Sequence, residues 1–194
     1  MRLAAADDPA RPGIVHRLDR GTSGLLAIAK SGAALAGLRA QFDAHSVGRC
    51  YWALVDGVPE HRRATVDAPI ARHSQQRVRF QTAPDGREAV SHYEVERSWE
   101  PASCVRVQLE TGRTHQVRVH MAALGHPVCA DRVYGASTVV ARALGLTRPA
   151  LHAAHLQFVH PVTGMPIAVD EPLPDDLLHA VDRLDSAVAD ERLV

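Results

Sequence analysis

Aromatic residues are nearly missing from this chain: three Phe, three Tyr and two Trp make up 4% of it. Its core must therefore be built mainly from Leu, Val and Ala. Cysteine is scarce as well. Cys50, Cys104 and Cys129 lie far apart, no CxxC occurs, and the number is odd. This argues against a disulfide framework and a cysteine-rich zinc site, and fits a reducing compartment. Neither sign of charge is in excess, because 22 basic and 22 acidic side chains cancel. Bulk charge thus gives no hint of nucleic acid, although a basic patch on one face remains compatible with a zero sum. No apolar run is long enough to span a bilayer, so no membrane role is expected. The opening MRLAAADDPARPG carries acids and proline and lacks an apolar stretch, so it does not read as a signal peptide. The cytoplasm is the expected location. GxxxxGKS/T and GxGxxG are both missing, which removes the usual nucleotide cradles. GTSG at 21–24 is not the GxSxG elbow, so Ser23 is a weak candidate for a hydrolase nucleophile.

What is present suits one sizeable folded domain, with 194 residues of which 46% are hydrophobic. Leu25 to Ala29 reads as a short buried strand. Leu35, Leu38 and Phe42 recur at helical spacing behind Ser31, a plausible N-cap. Tyr51 to Val55 reads as a strand closed by Asp56-Gly57. Arg77 to Gln81 and Ala89 to Arg97 alternate around Pro84-Asp85-Gly86, which predicts a hairpin, and Cys104 to Leu109 predicts a third antiparallel strand. Thr114 to Leu124 reads as a helix with Val117, Met121 and Leu124 on one face and a stop at Gly125. Leu151 to Val159 and Ile167 to Val169 read as strands joined by Pro161-Val162-Thr163-Gly164. An amphipathic helix is expected from Asp175 to about Val188. The fold class predicted is α+β, a mixed and mostly antiparallel sheet with flanking helices.

Two stretches carry chemistry. HRLDRGTSG, His16 to Gly24, sets an aspartate between arginines and follows it with turn residues. Read plainly, it is a turn before a strand. LETGRTHQVRVH, Leu109 to His120, leaves a strand, turns at Gly112 and enters a helix. On that helix Arg113, Gln116 and His120 share one face, and His115 and Arg118 another. Cations at a helix start oppose its dipole, so a nearby anion is expected, either a phosphate or a carboxylate such as Asp19. Two histidine sets, His152, His155 and His160, or His115, His120 and His126, could supply a metal, but neither has HExxH spacing.

Together these stretches resemble the signatures of RluA-type pseudouridine synthases. His16 to Leu26 is similar to HRLDxxTSGLL. Arg49 to Gly57, RCYWALVDG, is similar to a second motif, a basic residue shortly before YxALVxG. Thr111 to Gly135 is similar to TGRTHQIRVHxxxxGHPVxGDxxYG, with Val117 for Ile and Ala130 where Gly is usual. Leu151 to Gly164 is similar to LHAxxLxFxHPxTG. The resemblance runs over about residues 13 to 175 in the family's order. It implies isomerisation of a uridine in ribosomal or transfer RNA without a cofactor or metal. It also implies site residues. Asp19 is the catalytic carboxylate, acting either as a nucleophile at C1′ or as a base at C2′. Arg118 is its ion-pair partner, and breaking such a buried pair costs about 3–5 kcal/mol. Tyr51 stacks on the extruded base and handles the C5 proton, and Leu151 forms the apolar wall. Arg17, Arg20, Arg113 and His115 face phosphates, and Thr22 and Gln116 complete the substrate-binding set.

Family members carry a strand with a Lys-Pro-x-Gly signature before HRLD, and many carry an S4-like domain before that. Here fifteen residues precede His16. The expectation is a single catalytic domain over residues 1–194 lacking that front, with bare apolar surface near residues 25–29. Two other readings remain: an inactive remnant that binds structured RNA without turnover, and a histidine-dependent metallohydrolase. The RNA, the uridine within it and the oligomeric state are not specified by these motifs.

Overall fold

The computed structural model describes residues 12–76 and 78–191. The opening segment up to residue 11 and Arg77, both covered by expectations above, lie outside that range.

After the loop of residues 16–22 the chain forms a two-residue strand, β1 (Ser23–Gly24), and then helix α1 (Gly32–Asp43). Ser31 caps α1, its hydroxyl accepting the Ala34 N–H at 3.2 Å. β2 (Gly48–Asp56), β3 (Arg63–Asp67), β4 (Ile70–Arg72), β5 (Phe80–Thr82), β6 (Val90–Trp99) and β7 (Ala102–Leu109) follow. Helices α2 (Gln116–Ala123) and α3 (Thr138–Ala143) come next, then β8 (Leu151–Val159), β9 (Pro166–Asp170) and α4 (Asp175–Glu191).

The main sheet runs β1-β8-β2-β7-β6-β3, and β9 pairs with β8 beyond the end of β1. Among the described strands only β1 and β8 pair in parallel. Alternation decides the faces: Val105, Val107 and Leu109 of β7 are buried, whereas Arg106 and Gln108 between them are exposed. Ala53, Leu54 and Val55 of the central strand β2 are fully buried. They pack in one cluster with Val117 and Met121 of α2 and Leu177, Ala180 and Leu184 of α4.

The mostly antiparallel α+β architecture agrees with expectation, but some elements do not. Residues 25–29 form no strand beyond one bridge between Ile28 and Ile14. Ala27 and Ala29 turn inward, while Leu26 and Ile28 are 39% and 42% exposed. Leu26, Ile28, Leu156, Phe158 and Val169 wall an open apolar groove of about 430 Å³ beside this segment. The hairpin expected around Pro84-Asp85-Gly86 is not made: β5 pairs with β4, and β6 with β3 and β7. The turn is there, yet it leads into residues that hydrogen-bond back to Ile70. Alternation marks no strand at β3 or β4, which are only five and three residues long, and so leaves β5 and β6 no partner but each other. Helix α3 is a further addition, a six-residue helix with no buried side chain and hence no apolar stripe to reveal it. Leu124, expected on the buried face of α2, is 41% exposed just past the end of that helix.

Candidate active site

The HRLD loop is held by side chains from the motifs themselves. His16 Nε2 accepts the Ala27 N–H at 2.8 Å, and its ring stacks on Phe42 at 4.7 Å. Burial, aided by the Arg49 charge, pushes His16 down to about 4, which keeps it a neutral acceptor. The Thr22 N–H donates to the Asp19 carbonyl at 3.0 Å and closes the turn. Gly24 has φ +107°, and a Cβ there would strike the backbone of Ala153. Only glycine lets β1 approach β8 so closely. His152 donates from Nε2 to the Glu171 carbonyl at 3.1 Å, which leaves its Nδ1 to accept the Ser23 hydroxyl at 2.9 Å. The loop carrying Asp19 is thus pinned at both ends.

The second stretch supplies the facing wall. Gln116 is buried and spends its whole amide inside the protein. Its oxygen accepts the Thr111 hydroxyl at 2.8 Å and the Arg113 N–H at 2.9 Å. Its nitrogen donates to the Val90 carbonyl at 2.9 Å and to Ser91 Oγ at 3.0 Å. Gln116 therefore shapes the wall and offers no free donor to a ligand. His115 precedes the helix with φ +59°, which starts α2 two residues later than Thr114. That left-handed turn aims its imidazole back at the loop.

Asp19 lies where the two stretches meet, with its side chain 13% exposed. Arg118 NH1 stands 3.5 Å from its Oδ2 and His115 Nε2 stands 3.9 Å from its Oδ1. Arg118 has a second and closer carboxylate. Its Nε and NH2 donate to Asp131 Oδ2 and Oδ1 at 2.6 Å and 3.0 Å, in the two-pronged geometry guanidinium favours. Burial alone would lower the Arg118 pKa, but the Asp131 hydrogen bonds and the charges of Asp131 and Asp19 outweigh it and raise the value. The expected pairing of Arg118 with Asp19 is therefore the longer of two contacts.

A cavity of about 490 Å³ opens above Asp19, and Tyr51, Leu151, Arg49, Arg113, His115 and Thr22 line it. A register shift between β2 and β8 falls immediately before Tyr51. Burial pushes the Tyr51 phenol up to about 12, Asp19 adding to the effect and Arg49 opposing it, so the hydroxyl keeps its proton. Leu151 is 2% exposed and forms an apolar patch of wall. Arg113 is half-buried, and its Nε donates to the Glu88 carbonyl at 2.7 Å. Arg17 borders this cavity and also an adjoining groove of about 850 Å³. Arg20 borders only that groove, with Arg132 and Arg148.

Of the ten expected site residues, the fold brings all but Arg20 and Arg118 to the cavity lining, and Arg118 stands directly behind Asp19. Sequence reasoning did not single out Asp131, Tyr134 or Arg49 as site residues. Arg49 is buried, donates to the Glu110 carbonyl at 2.8 Å and packs against Gly112, where a Cβ would collide with its NH1. The signal the sequence offers is a cation set directly before the apolar run of β2. The histidines of the two metal-candidate sets are spread through the fold, and no group of three or more His, Cys, Asp or Glu among the described residues is arranged to hold a metal ion.

The model of the RNA pseudouridylate synthase family matches residues 1–123. Ribosomal large subunit pseudouridine synthase D of Zymomonas mobilis is 47% identical over 182 residues, covering 91% of this chain and 57% of that protein. An uncharacterised RNA pseudouridine synthase of Mycobacterium tuberculosis is 45% identical over 180 residues, covering 93% of this chain and 58% of that protein. The chain thus spans somewhat over half the length of these relatives. Among solved structures, human RNA pseudouridylate synthase domain containing 1 superposes with a TM-score of 0.74 at 29% identity, over 91% of this chain and 79% of that one.

Proposed function

This chain belongs to the RNA pseudouridylate synthase family, and on that footing we propose that its cavity isomerises a uridine of structured RNA to pseudouridine. The observation that carries the reading is Asp19. Its carboxylate sits on a pinned loop at the floor of the cavity, with Arg118 and His115 on its flanks and Tyr51 and Leu151 on the walls above.

The reaction leaves the composition of the nucleotide unchanged. The C1′–N1 bond breaks, the uracil turns, C1′ bonds to C5, the C5 hydrogen leaves to solvent and N1 takes up a proton. Asp19 starts it either by attacking C1′, in which case C5 later displaces the carboxylate from C1′, or by removing the C2′ proton, which it then returns to C2′ as the C1′–C5 bond forms. Both roles need an ionised carboxylate, and the Arg118 guanidinium stands 3.5 Å from it. A base must leave the helix to reach Asp19, and an aromatic face opposite an aliphatic one suits a flipped uracil. Tyr51, held protonated, is suited to stack on the base and to guide the C5 proton. Arg17 and Arg113 at the cavity and Arg20 in the adjoining groove are suited to phosphates, whereas His115, first expected to do the same, faces Asp19. The name of the Zymomonas mobilis relative favours large-subunit ribosomal RNA over transfer RNA as substrate.

The test is tritium release from [5-³H]uridine-labelled RNA of a strain lacking the modification, comparing this chain with Asp19→Asn. We expect release by the parent and a loss of at least about a thousandfold in the variant, the scale at which a removed reacting group is felt. A folded parent that binds this RNA yet releases nothing would favour a non-catalytic RNA-binding role. Equal release by both proteins would remove Asp19 from the chemistry.

A further inference from the structure

Tyr134 is buried in the turn after Asp131, and its hydroxyl joins three parts of the molecule. It accepts the backbone N–H of Phe80 in β5 at 3.0 Å. It also lies 2.9 Å from His115 Nδ1. The Phe80 amide can only donate, so the phenol's own proton remains to be placed. Among the described residues His115 Nδ1 is the only acceptor within reach of it. A buried hydroxyl proton without an acceptor is costly, so Tyr134 donates and Nδ1 accepts. A neutral imidazole that accepts at Nδ1 carries its hydrogen on Nε2. Nε2 is the atom that faces Asp19 Oδ1 at 3.9 Å.

The surroundings hold both rings in that arrangement. Tyr134 meets His115 edge-on at a centroid distance of 5.7 Å, and Phe80 meets the same imidazole at 5.5 Å. Arg118 and Arg79 stand over the Tyr134 ring at 5.0 Å and 5.6 Å. His115 itself is in a left-handed backbone conformation, φ +59°, which a non-glycine residue adopts at some cost and keeps only where neighbours enforce it. The charged groups that face its ring are Asp19 and Arg17 from the HRLD loop, Arg118 from α2, and Asp131 from the turn that carries Tyr134.

We propose that Tyr134 is a positioning residue that locks His115 as the Nε2–H tautomer, so that Asp19 faces one N–H donor on each oxygen. Arg118 points at Oδ2 and His115 at Oδ1, which fixes the plane of the carboxylate toward the cavity. The 3.9 Å gap is too long for a hydrogen bond, so in the free protein His115 acts on Oδ1 through the dipole of its Nε2–H. Because Phe80 shares the same hydroxyl, the β4–β5 hairpin is tied to the tautomer as well. This inference rests on Asp19 being the reacting carboxylate, and its primary readout does not depend on turnover.

The experiment is ¹⁵N NMR of histidine-labelled protein at pH 8, with the His115 signals identified by their loss in His115→Gln. We expect an unprotonated Nδ1 and a protonated Nε2 in the parent, and a shift toward the opposite or a mixed tautomer in Tyr134→Phe. On RNA, Tyr134→Phe should lower kcat by about tenfold, the scale of one lost hydrogen bond, with KM unchanged. A parent spectrum with the proton on Nδ1 overturns the proposal outright, whether or not the variant folds. So does a folded Tyr134→Phe with the parent's tautomer, or one with an altered tautomer and the parent's kcat. If the parent converts no RNA but its tautomer shifts as expected in the variant, the tautomer lock stands while the proposed function, and with it the catalytic purpose of the lock, falls.

Discussion

Arg118 and Arg106 carry the same charge in two very different surroundings. The Arg118 side chain is 6% exposed and lies between two carboxylates, Asp131 and Asp19. The Arg106 side chain is 57% exposed on the outer face of the sheet, where it meets Glu96 at 2.8 Å. Around it run other cross-strand pairs of the same kind, Arg63 with Glu94 and His92 with Glu110. Judged by distance alone, Arg106 with Glu96 equals most of what Arg118 makes. Burial separates them. Water screens the outer pairs and can replace either partner, whereas nothing replaces a partner of Arg118. One guanidinium also does two jobs. Asp131 holds it in place with two short bonds, so that it can stand near Asp19 without binding it tightly. A carboxylate gripped in the manner of Asp131 would be a poor reagent. The looser 3.5 Å contact leaves Asp19 oriented and open to the cavity.

The strongest way to break that contrast is Asp131→Asn. It leaves a buried guanidinium without its bidentate partner, a change that typically costs about 3–5 kcal/mol. For a chain of this size each kcal/mol lowers Tm by roughly 2–4 °C, so a fall of about 10 °C is expected by calorimetry. The remaining cationic charge should then close on Asp19, and kcat should fall in the fraction that stays folded. A variant with the parent's Tm would mean that Asp19 alone satisfies Arg118 and that the division of labour is wrong.

His16 gives a smaller effect with a definite pH window. Folding takes its pKa from 6.5 down to about 4. Between those values the unfolded chain binds a proton that the folded chain refuses, so stability rises with pH across the window. The contribution is complete above about pH 6.5 and is lost as pH falls toward 4, up to about 3 kcal/mol in all. Urea unfolding of the parent and His16→Asn at pH 7, 5.5 and 4 measures this directly. The parent's advantage over the variant should shrink as acid is added. Parallel stability curves would show that the stacked imidazole does not titrate as described.

The same contrast explains what could be read from the sequence. Ser31 and the run behind it gave away α1, because a cap and a 3.6-residue period are local signals. β2, β7 and β8 were legible from apolar runs and alternation. β3 was not, since RATVD is short, charged at both ends and only half-buried. The false hairpin followed from that omission, because nothing local tells β5 to pair with β4 in preference to β6. At the site, Asp19, Tyr51, His115 and Leu151 stood in quotable motifs, and the fold gathers them around one cavity. Asp131 stood in such a motif too, but its bond to Arg118 spans thirteen residues and the turn after α2. Which of two aspartates a guanidinium prefers is decided by packing, and packing is not written in spacing.

The outer face supplies the smallest effect and the control for the rest. A double-mutant cycle with Arg106→Met and Glu96→Gln should return a coupling below about 1 kcal/mol, shrinking further in 0.5 M salt. Arg106 also covers apolar surface with its stem, so Arg106→Met keeps that contact and isolates the charge. If this pair instead coupled as strongly as Arg118 with Asp131, burial would not be what distinguishes the two regions. The outer residues would then form a cooperative network in which each exposed pair holds its neighbour in register across β6 and β7. Adding Arg63→Met to the cycle decides between the two pictures. Independent pairs give additive losses, while a network gives a coupling that changes when Arg63 is removed.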